Sequence, residues 1–184
     1  MSLLPRTASS LLARAASRLA RRPAARDWAE ALGALAVLAM AGAGLARGTE
    51  ALKYDFTVAA ARAEPGRLVL VALVAFVIPA LGEELVFRGL FQPMRLRTAS
   101  ARLAAAASLA AFIAWHPLQV ALALPSAQPV FLEPAFLAMA GLLGLVCTVP
   151  AHRSGSLWTA VFVHWAVVAA WKAGEPFQTP PGAG

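Results

Sequence analysis

The chain has 184 residues, of which 60% are hydrophobic and only 14% are charged, and its net charge is +7. Soluble proteins carry about a quarter charged residues, so the composition excludes an ordinary soluble domain and indicates an integral membrane protein. The basic residues occupy an N-terminal arm and short loops, without a stripe of interleaved aromatics, so nucleic acid is excluded as a partner. The single cysteine, Cys147, excludes an intramolecular disulfide and a cysteine-based zinc cluster.

Three regions are predicted along the chain: a basic cytoplasmic arm at 1–27, a transmembrane domain at 28–172 and a flexible tail at 173–184. The arm holds six arginines before its first acid, Asp27. An amphipathic helix on the inner leaflet and an organelle transit peptide have similar compositions. We favour a basic flank that fixes the orientation of the first span. The apolar residues that share one face of such a helix are Leu11, Leu12, Ala15, Leu19 and Ala20.

The apolar runs predict an all-α membrane bundle of about five transmembrane helices. They cover roughly residues 28–45, 67–91, 103–124, 130–149 and 157–171. The predicted connections are a polar loop at 47–67, a basic loop at 95–102, an uncharged turn at 125–129 and a polar turn at 152–155.

Local signals refine this arrangement. Pro79 lies inside the second run and predicts a kink or local unwinding one turn before Glu83. Ser156 is the predicted N-cap of the last helix, and Glu133 suits the first turn of the fourth. A cytoplasmic N terminus places most of the basic loops inside. The high Ala and Arg content is typical of a GC-rich bacterium, so we expect the bacterial cytoplasmic (inner) membrane.

A few strong polar side chains lie inside the apolar runs, where charges are costly and usually face a cavity or a partner. They are Glu83, Glu84, Arg88, His116 and His164. Counted from the nearest cytoplasmic loop, Glu83, His116 and His164 lie ~18, ~21 and ~15 Å deep at about 1.5 Å per residue. All three depths are near the middle of a hydrocarbon core about 30 Å thick. Helices two, three and five can therefore place one carboxylate and two imidazoles in one cavity.

The two glutamates differ in their expected partners. Glu84 and Arg88 are four residues apart, the favourable order for an ion pair on one helix face. Glu83 is rotated by about 100° from Glu84 and can point at a different neighbour. The residues by themselves leave open an alternative in which these charges are only an interhelical network that holds the bundle together.

Three short motifs follow one another in the apolar runs: Glu83-Glu84-x-x-x-Arg88, Phe112-x-x-x-His116 and a last-span His164. In this order they resemble the motifs of the CAAX prenyl protease and bacteriocin-processing family (CPBP or ABI proteins), which are glutamic intramembrane proteases. The resemblance covers roughly residues 71–171. The third family motif is commonly HxxxN, whereas this chain has Val168 at the last position, which puts the full oxyanion hole in doubt.

The resemblance implies an endopeptidase that hydrolyses a peptide bond with an activated water and needs no cofactor. Glu83 and His116 would activate the water, and His164 would donate to the oxyanion. Glu84 and Arg88 would form the supporting pair. The substrate would be a membrane-associated peptide or protein, cleaved in a leader or C-terminal segment, with the lipid bilayer as surroundings.

The sequence leaves two alternative functions open. Glu83, His116 and His164 form a valid catalytic zinc set, which would make the protein a metalloprotease. Val168 favours a non-catalytic membrane scaffold or immunity protein with the same fold. The sequence leaves the oligomeric state unknown.

Overall fold

The computed structural model describes residues 4–48 and 65–173, and the described part of the chain is helical without a strand. Most of the predicted polar loop at 47–67 and the tail after residue 173 lie outside the described residues. The α-helices are α1 (Leu4–Ala20), α2 (Ala25–Gly48), α3 (Pro65–Ala75), α4 (Ala99–Ala121), α5 (Pro134–Ser154) and α6 (Trp158–Ala173), and a short 3-10 helix covers Pro129–Leu132. The predicted all-α membrane bundle is confirmed.

Within the described ranges, four helices are long and apolar enough to cross a membrane: Ala25–Leu45, Leu68–Phe91, Ala99–Ala121 and Pro134–Ser154. The fifth predicted span corresponds to α6, which has 16 residues. A helix of that length reaches about 24 Å, less than the roughly 30 Å of a hydrocarbon core. Over residues 4–48 and 65–173, the bundle therefore has four helices of spanning length and a shorter one that carries His164.

The second span changes its winding where the charged motif lies. After α3 the chain continues as two π-helical segments, Phe76–Glu83 and Leu85–Phe91; we call residues 76–91 the motif helix. Pro79 lies inside it. Proline removes a backbone donor and clashes with the preceding turn of an α-helix, so the predicted local unwinding takes the form of a wider helix. Such π-helical turns are rare and occur often at functional sites.

One predicted turn was wrong. The segment His152 to Ser154 is the last turn of α5 rather than a loop, and the helix ends at Gly155 with φ of 69°. Glycine adopts this left-handed conformation without a Cβ clash, which makes it the usual helix terminator. Ser156 caps the start of α6 as predicted, since its Oγ accepts from the backbone N–H of Trp158 at 3.2 Å.

The core lies between the motif helix, α4, α5 and α6. Phe87, Phe112, Leu143, Cys147 and Val163 are buried there in one apolar cluster that also includes residues of α2. Outward side chains of α3 and the motif helix, such as Val77 and Ile78, are exposed and apolar, as expected for a surface that meets lipid. The charged motif residues point to the other side, into this core.

Candidate active site

Glu84 and Arg88 form a closed ion pair inside the bundle. Both side chains are fully buried, and Nη1 of Arg88 lies 3.0 Å from Oε1 of Glu84. Nη2 of Arg88 donates to the carbonyl of Gly144 on α5 at 2.7 Å. A buried charge is tolerated when it is paired and hydrogen-bonded, so these contacts join the motif helix to α5 and confirm the predicted pairing of the two residues.

Gly144 leaves the space that the guanidinium occupies. A Cβ at this position would lie 2.9 Å from Nη2 of Arg88 and 2.5 Å from Cδ1 of Leu109. Both distances are shorter than van der Waals contact, so any side chain here displaces a neighbour. The absence of a side chain at Gly144 therefore helps to set the position of Arg88.

His164 binds to the same carboxylate as Arg88. Its Nδ1 lies 2.9 Å from Oε1 of Glu84. An ionised carboxylate only accepts hydrogen bonds, so Nδ1 is the donor. On the other side of the ring, Nε2 lies 3.9 Å from Oε2 of Glu83. His164 thus lies between the two glutamates, hydrogen-bonded to one and at a longer distance from the other.

Glu83 lies in a more open position than Glu84. Its side chain is 16% exposed, whereas that of Glu84 is fully buried. The indole Nε1 of Trp115 donates to Oε1 of Glu83 at 3.2 Å. Oε2 has no hydrogen-bond partner among the described residues. One oxygen of Glu83 is therefore held in place, whereas its other oxygen is buried and unpaired, as is Oε2 of Glu84 in the part of the chain that the structure describes.

His116 is held in one tautomer by its own helix. Nδ1 lies 3.0 Å from the carbonyl oxygen of Phe112, one turn earlier in α4. A carbonyl can only accept, so Nδ1 carries a proton and Nε2 of the neutral ring is left as the acceptor. The rings of Phe131 and Phe136 meet this imidazole at centroid distances of 5.4 and 5.2 Å. A buried imidazole with a free Nε2 has the chemistry of a general base.

Phe112 packs against Arg88 and against both histidines. Its ring is fully buried, and Cζ of Arg88 lies 4.4 Å from the ring centroid, a cation–π distance. The ring centroids of His116 and His164 lie 5.3 and 5.8 Å away from it, both edge-on. The aromatic residue of the Phe112-x-x-x-His116 motif therefore packs against three of the predicted site residues at once.

The structure brings the five predicted site residues into one region of the bundle, with different degrees of contact. Glu84, Arg88 and His164 are hydrogen-bonded together. Glu83 joins them through its contact with His164, and His116 is adjacent through the ring of Phe112. Their catalytic roles stay predictions.

Sequence reasoning missed two contributors and gave a third no role. Trp115 is not a defined position of the three motifs, although it holds Glu83. Gly144 had an available signal, since small residues such as Gly141 and Gly144 on one apolar membrane helix indicate close packing between helices. Phe112 was recognised in its motif without a function for the ring. All three act through contacts between helices, which spacing along the chain does not reveal.

The arrangement also bears on the zinc alternative. In the part of the chain that the structure describes, no group of three His, Cys, Asp or Glu side chains is arranged to hold a metal ion. Nδ1 of His164 is engaged by Glu84, and His116 faces aromatic rings on two sides. These side chains would have to move before they shared one ion with Glu83.

Comparison with known proteins places the motifs in a family. Residues 65–170 match the family model described as Rce1-like, type II CAAX prenyl endopeptidase. The matched segment is more than half of the 184-residue chain. It contains the motif helix, α4, α5 and most of α6. Comparisons with curated proteins and with solved structures gave no match.

Proposed function

The chain belongs to the Rce1-like family of type II CAAX prenyl endopeptidases. From this premise we propose that it is an intramembrane endopeptidase in which Glu83 and His116 activate the hydrolytic water. Its substrate would be a membrane-associated peptide or protein, cut in a leader or C-terminal segment. No cofactor is needed in this mechanism.

One observation carries the proposal: the two adjacent glutamates have different partners. Glu84 is occupied by Arg88 and His164. Glu83 is held by one oxygen through Trp115, while its Oε2 has no protein partner among the described residues. A general base needs a carboxylate that is oriented and still has an acceptor for the proton. Glu83 meets both conditions. Oε2 of Glu84 also lacks a partner among the described residues, but Oε1 of Glu84 already accepts from Arg88 and His164 and its side chain is fully buried, so Glu84 is the supporting member of the pair.

The reaction then has defined proton transfers. Glu83 takes one proton from the water, which His116 also polarises by accepting a hydrogen bond, while the water oxygen attacks the peptide carbonyl carbon and gives a tetrahedral intermediate. The C–N bond breaks as Glu83 returns that proton to the leaving amine. The products are a new carboxylate and a new amino terminus.

His164 is proposed to stabilise the oxyanion, and its contact with Glu84 determines which ring nitrogen can do so. Its Nδ1–H is already donated to Glu84, so a hydrogen bond to the substrate has to come from Nε2. That donation requires the ring to be protonated on both nitrogens. Val168, one turn later on α6, has no donor to add. The oxyanion side of this site thus depends on His164 and on the substrate's own position.

The proposed setting is the bacterial cytoplasmic membrane with the N terminus inside. The family description names a CAAX prenyl endopeptidase. In a bacterium, a leader peptide or a C-terminal sorting helix is the more plausible substrate than a prenylated tail. A comparison of the termini of membrane and secreted proteins, with and without this protein, identifies the cleaved segment.

The decisive experiment is Glu83→Gln in the purified full-length protein. We use two quenched peptides, one that spans the cut found in the terminus comparison and one that ends in a farnesylated CAAX sequence. We expect a rate about 10²–10⁴-fold lower, the usual contribution of a general base. Glu133→Gln is the matched control, because the same change there is made at an exposed helix start. Wild-type cleavage by Glu83→Gln would overturn the proposal.

The same assay separates the alternatives. Loss of activity with a chelator and recovery with zinc would favour a metalloprotease that uses Glu83, His116 and His164. A wild-type protein that cleaves neither peptide, although its removal from cells alters termini, would favour the non-catalytic scaffold that Val168 suggests.

A further inference from the structure

Helix α1 lies outside the segment that matches the family. It is nevertheless attached to the motif helix, which carries the two glutamates, and to α6, which carries His164. Its last turn is bound to the start of α6. The three hydrogen bonds there run from Leu157 N to Arg18 O (3.2 Å), from Ser156 Oγ to Arg21 O (2.7 Å) and from Trp158 Nε1 to Leu19 O (2.7 Å). The N-terminal arm is thus part of the bundle's packing as well as a basic flank.

Arg18 attaches α1 to the end of the motif helix. The side chain is fully buried. Its Nη1 donates to the carbonyl of Arg88 at 2.6 Å, its Nη2 to the carbonyl of Pro93 at 2.9 Å, and its Nε to Sδ of Met94 at 3.1 Å. Among the described residues, no carboxylate lies within ion-pair distance of it. This guanidinium therefore binds backbone rather than acids.

The carbonyl of Arg88 needs such a donor because of the local sequence. The last carbonyls of a helix have no partner within the helix. In the π-helical winding of residues 85–91, the partner of Arg88 O would be the N–H five residues on. That residue is Pro93, which has no N–H, and the chain is already extended at Gln92. Arg18 supplies the missing donor.

The charge of Arg18 also suits its position. A cation is stabilised at the C-terminal end of a helix, where carbonyl dipoles converge. Burial, and to a smaller extent the nearby charge of Arg14, lower the pKa of Arg18 to about 10. The guanidinium is therefore still charged at neutral pH.

We infer that Arg18 is a positioning residue for the proposed active site. Arg88 receives Arg18 at its backbone carbonyl and contacts Glu84 and Gly144 with its side chain. Arg18 therefore fixes the turn of the motif helix from which the guanidinium of Arg88 extends. The guanidinium of Arg88 in turn holds Glu84, the carboxylate that orients His164. This inference rests on the proposed function and adds to the family motifs a residue from outside the matched segment.

The kinetic test compares Arg18→Ala, Arg18→Lys and Arg22→Ala on the peptides named above. We expect Arg18→Ala to lower kcat about 10- to 100-fold, the scale of a misplaced catalytic group, with KM unchanged. Arg18→Lys keeps one charged donor and should recover part of the loss. Arg22 is exposed just after the same helix, and its alanine variant should match the wild type. If Arg18 acted only in folding, Arg18→Ala would reduce the yield of protein, and the folded fraction would keep the wild-type kcat.

A cross-link tests the docking of α1 independently of activity. A Cβ built at Gly89 lies 3.5 Å from Cβ of Ala15, within the roughly 3.5–4.5 Å of disulfides. In a Cys147→Ala background, Ala15→Cys with Gly89→Cys should form a disulfide in oxidised membranes. Leu12→Cys with Gly89→Cys is the control, because Leu12 is 65% exposed. Adding Arg18→Ala should lower the yield of the first cross-link.

The outcomes separate the two proposals. If Glu83→Gln loses cleavage while Arg18→Ala keeps the wild-type kcat, the positioning role is wrong and the proposed function stands. If Glu83→Gln keeps cleavage, the proposed function fails and the positioning role fails with it. A cross-link no stronger than the control would show that α1 does not dock as described, which also overturns the inference.

Discussion

Glu83 and Glu84 are neighbours in the chain but lie in two different environments. Glu84 is fully buried and binds Arg88 and His164 through a single oxygen. Glu83 is partly exposed, accepts one hydrogen bond from Trp115 and leaves its second oxygen without a protein partner among the described residues. Oε2 of Glu84 also lacks a partner among the described residues, so the two carboxylates differ in burial and in the two donors that Glu84 binds. Glu84 resembles a structural ion pair, and Glu83 resembles a base.

The difference shows how one helix turn can supply both the support and the chemistry of a site. Adjacent residues on a helix point about 100° apart, so one carboxylate can face α5 and α6 while the next faces α4. His164 lies between them, bound to Glu84 by Nδ1 and 3.9 Å from Glu83 by Nε2.

The largest effect is expected for Arg88→Ala, which leaves Glu84 buried without its cation. Breaking a buried pair in this way costs about 3–5 kcal/mol of folding stability, and cleavage should be lost as well. Thermal unfolding in detergent measures the first effect. Arg153→Ala is the control, since that arginine is 66% exposed and pairs with Glu30 at the surface, where a pair contributes about 0–1 kcal/mol. Equal losses in the two variants would contradict the buried-pair assignment.

Gly144→Ala should come next, because the added methyl group lies against Arg88 and Leu109. Overpacking of this kind costs about 1–3 kcal/mol, and the shifted guanidinium should lower kcat with it. Gly33→Ala in α2 is the matched control, since a Cβ there meets nothing within 4 Å. An unchanged unfolding temperature and kcat in Gly144→Ala would show that the site tolerates a displaced Arg88.

Trp115→Phe removes the donor that holds Glu83 while keeping an aromatic ring. Hydrogen bonds to charged groups contribute about 1.5–3 kcal/mol, so we expect kcat to fall by about 10- to 150-fold. Trp165→Phe makes the same change where the indole donates to the Ala72 carbonyl, and should affect stability without a comparable loss of kcat. Similar kinetics in both variants would show that the indole of Trp115 does not position Glu83 for catalysis.

Val168→Asn is expected to have the smallest effect, and in the opposite direction. It restores the residue common in the third motif and offers an amide donor one turn after His164. We expect kcat to rise about two- to tenfold, less than the ~10²-fold of a preorganised oxyanion donor. Val168→Leu keeps the position apolar and should give no gain. A rise in both variants would point to packing rather than to a donated hydrogen bond.

The local features of this molecule follow from sequence alone. The apolar runs predicted the spanning helices because their length and hydropathy match a bilayer. The i, i+4 spacing predicted the pairing of Glu84 with Arg88, since both lie on one helix face. Ser156 was readable as an N-cap. The turn predicted at 152–155 failed because only Gly155, with its positive φ, ends α5.

Contacts between helices were decided by the tertiary structure. Depth counting could bring Glu83, His116 and His164 to one level of the membrane, but it could not give the rotation of each helix. That rotation determines that His164 binds Glu84, that Trp115 holds Glu83 and that Arg88 reaches the carbonyl of Gly144. Arg18 is the extreme case, a residue of the basic arm that is buried against the motif helix. Sequence determines which groups a helix carries and at what height, whereas side-chain packing determines which neighbour each group meets.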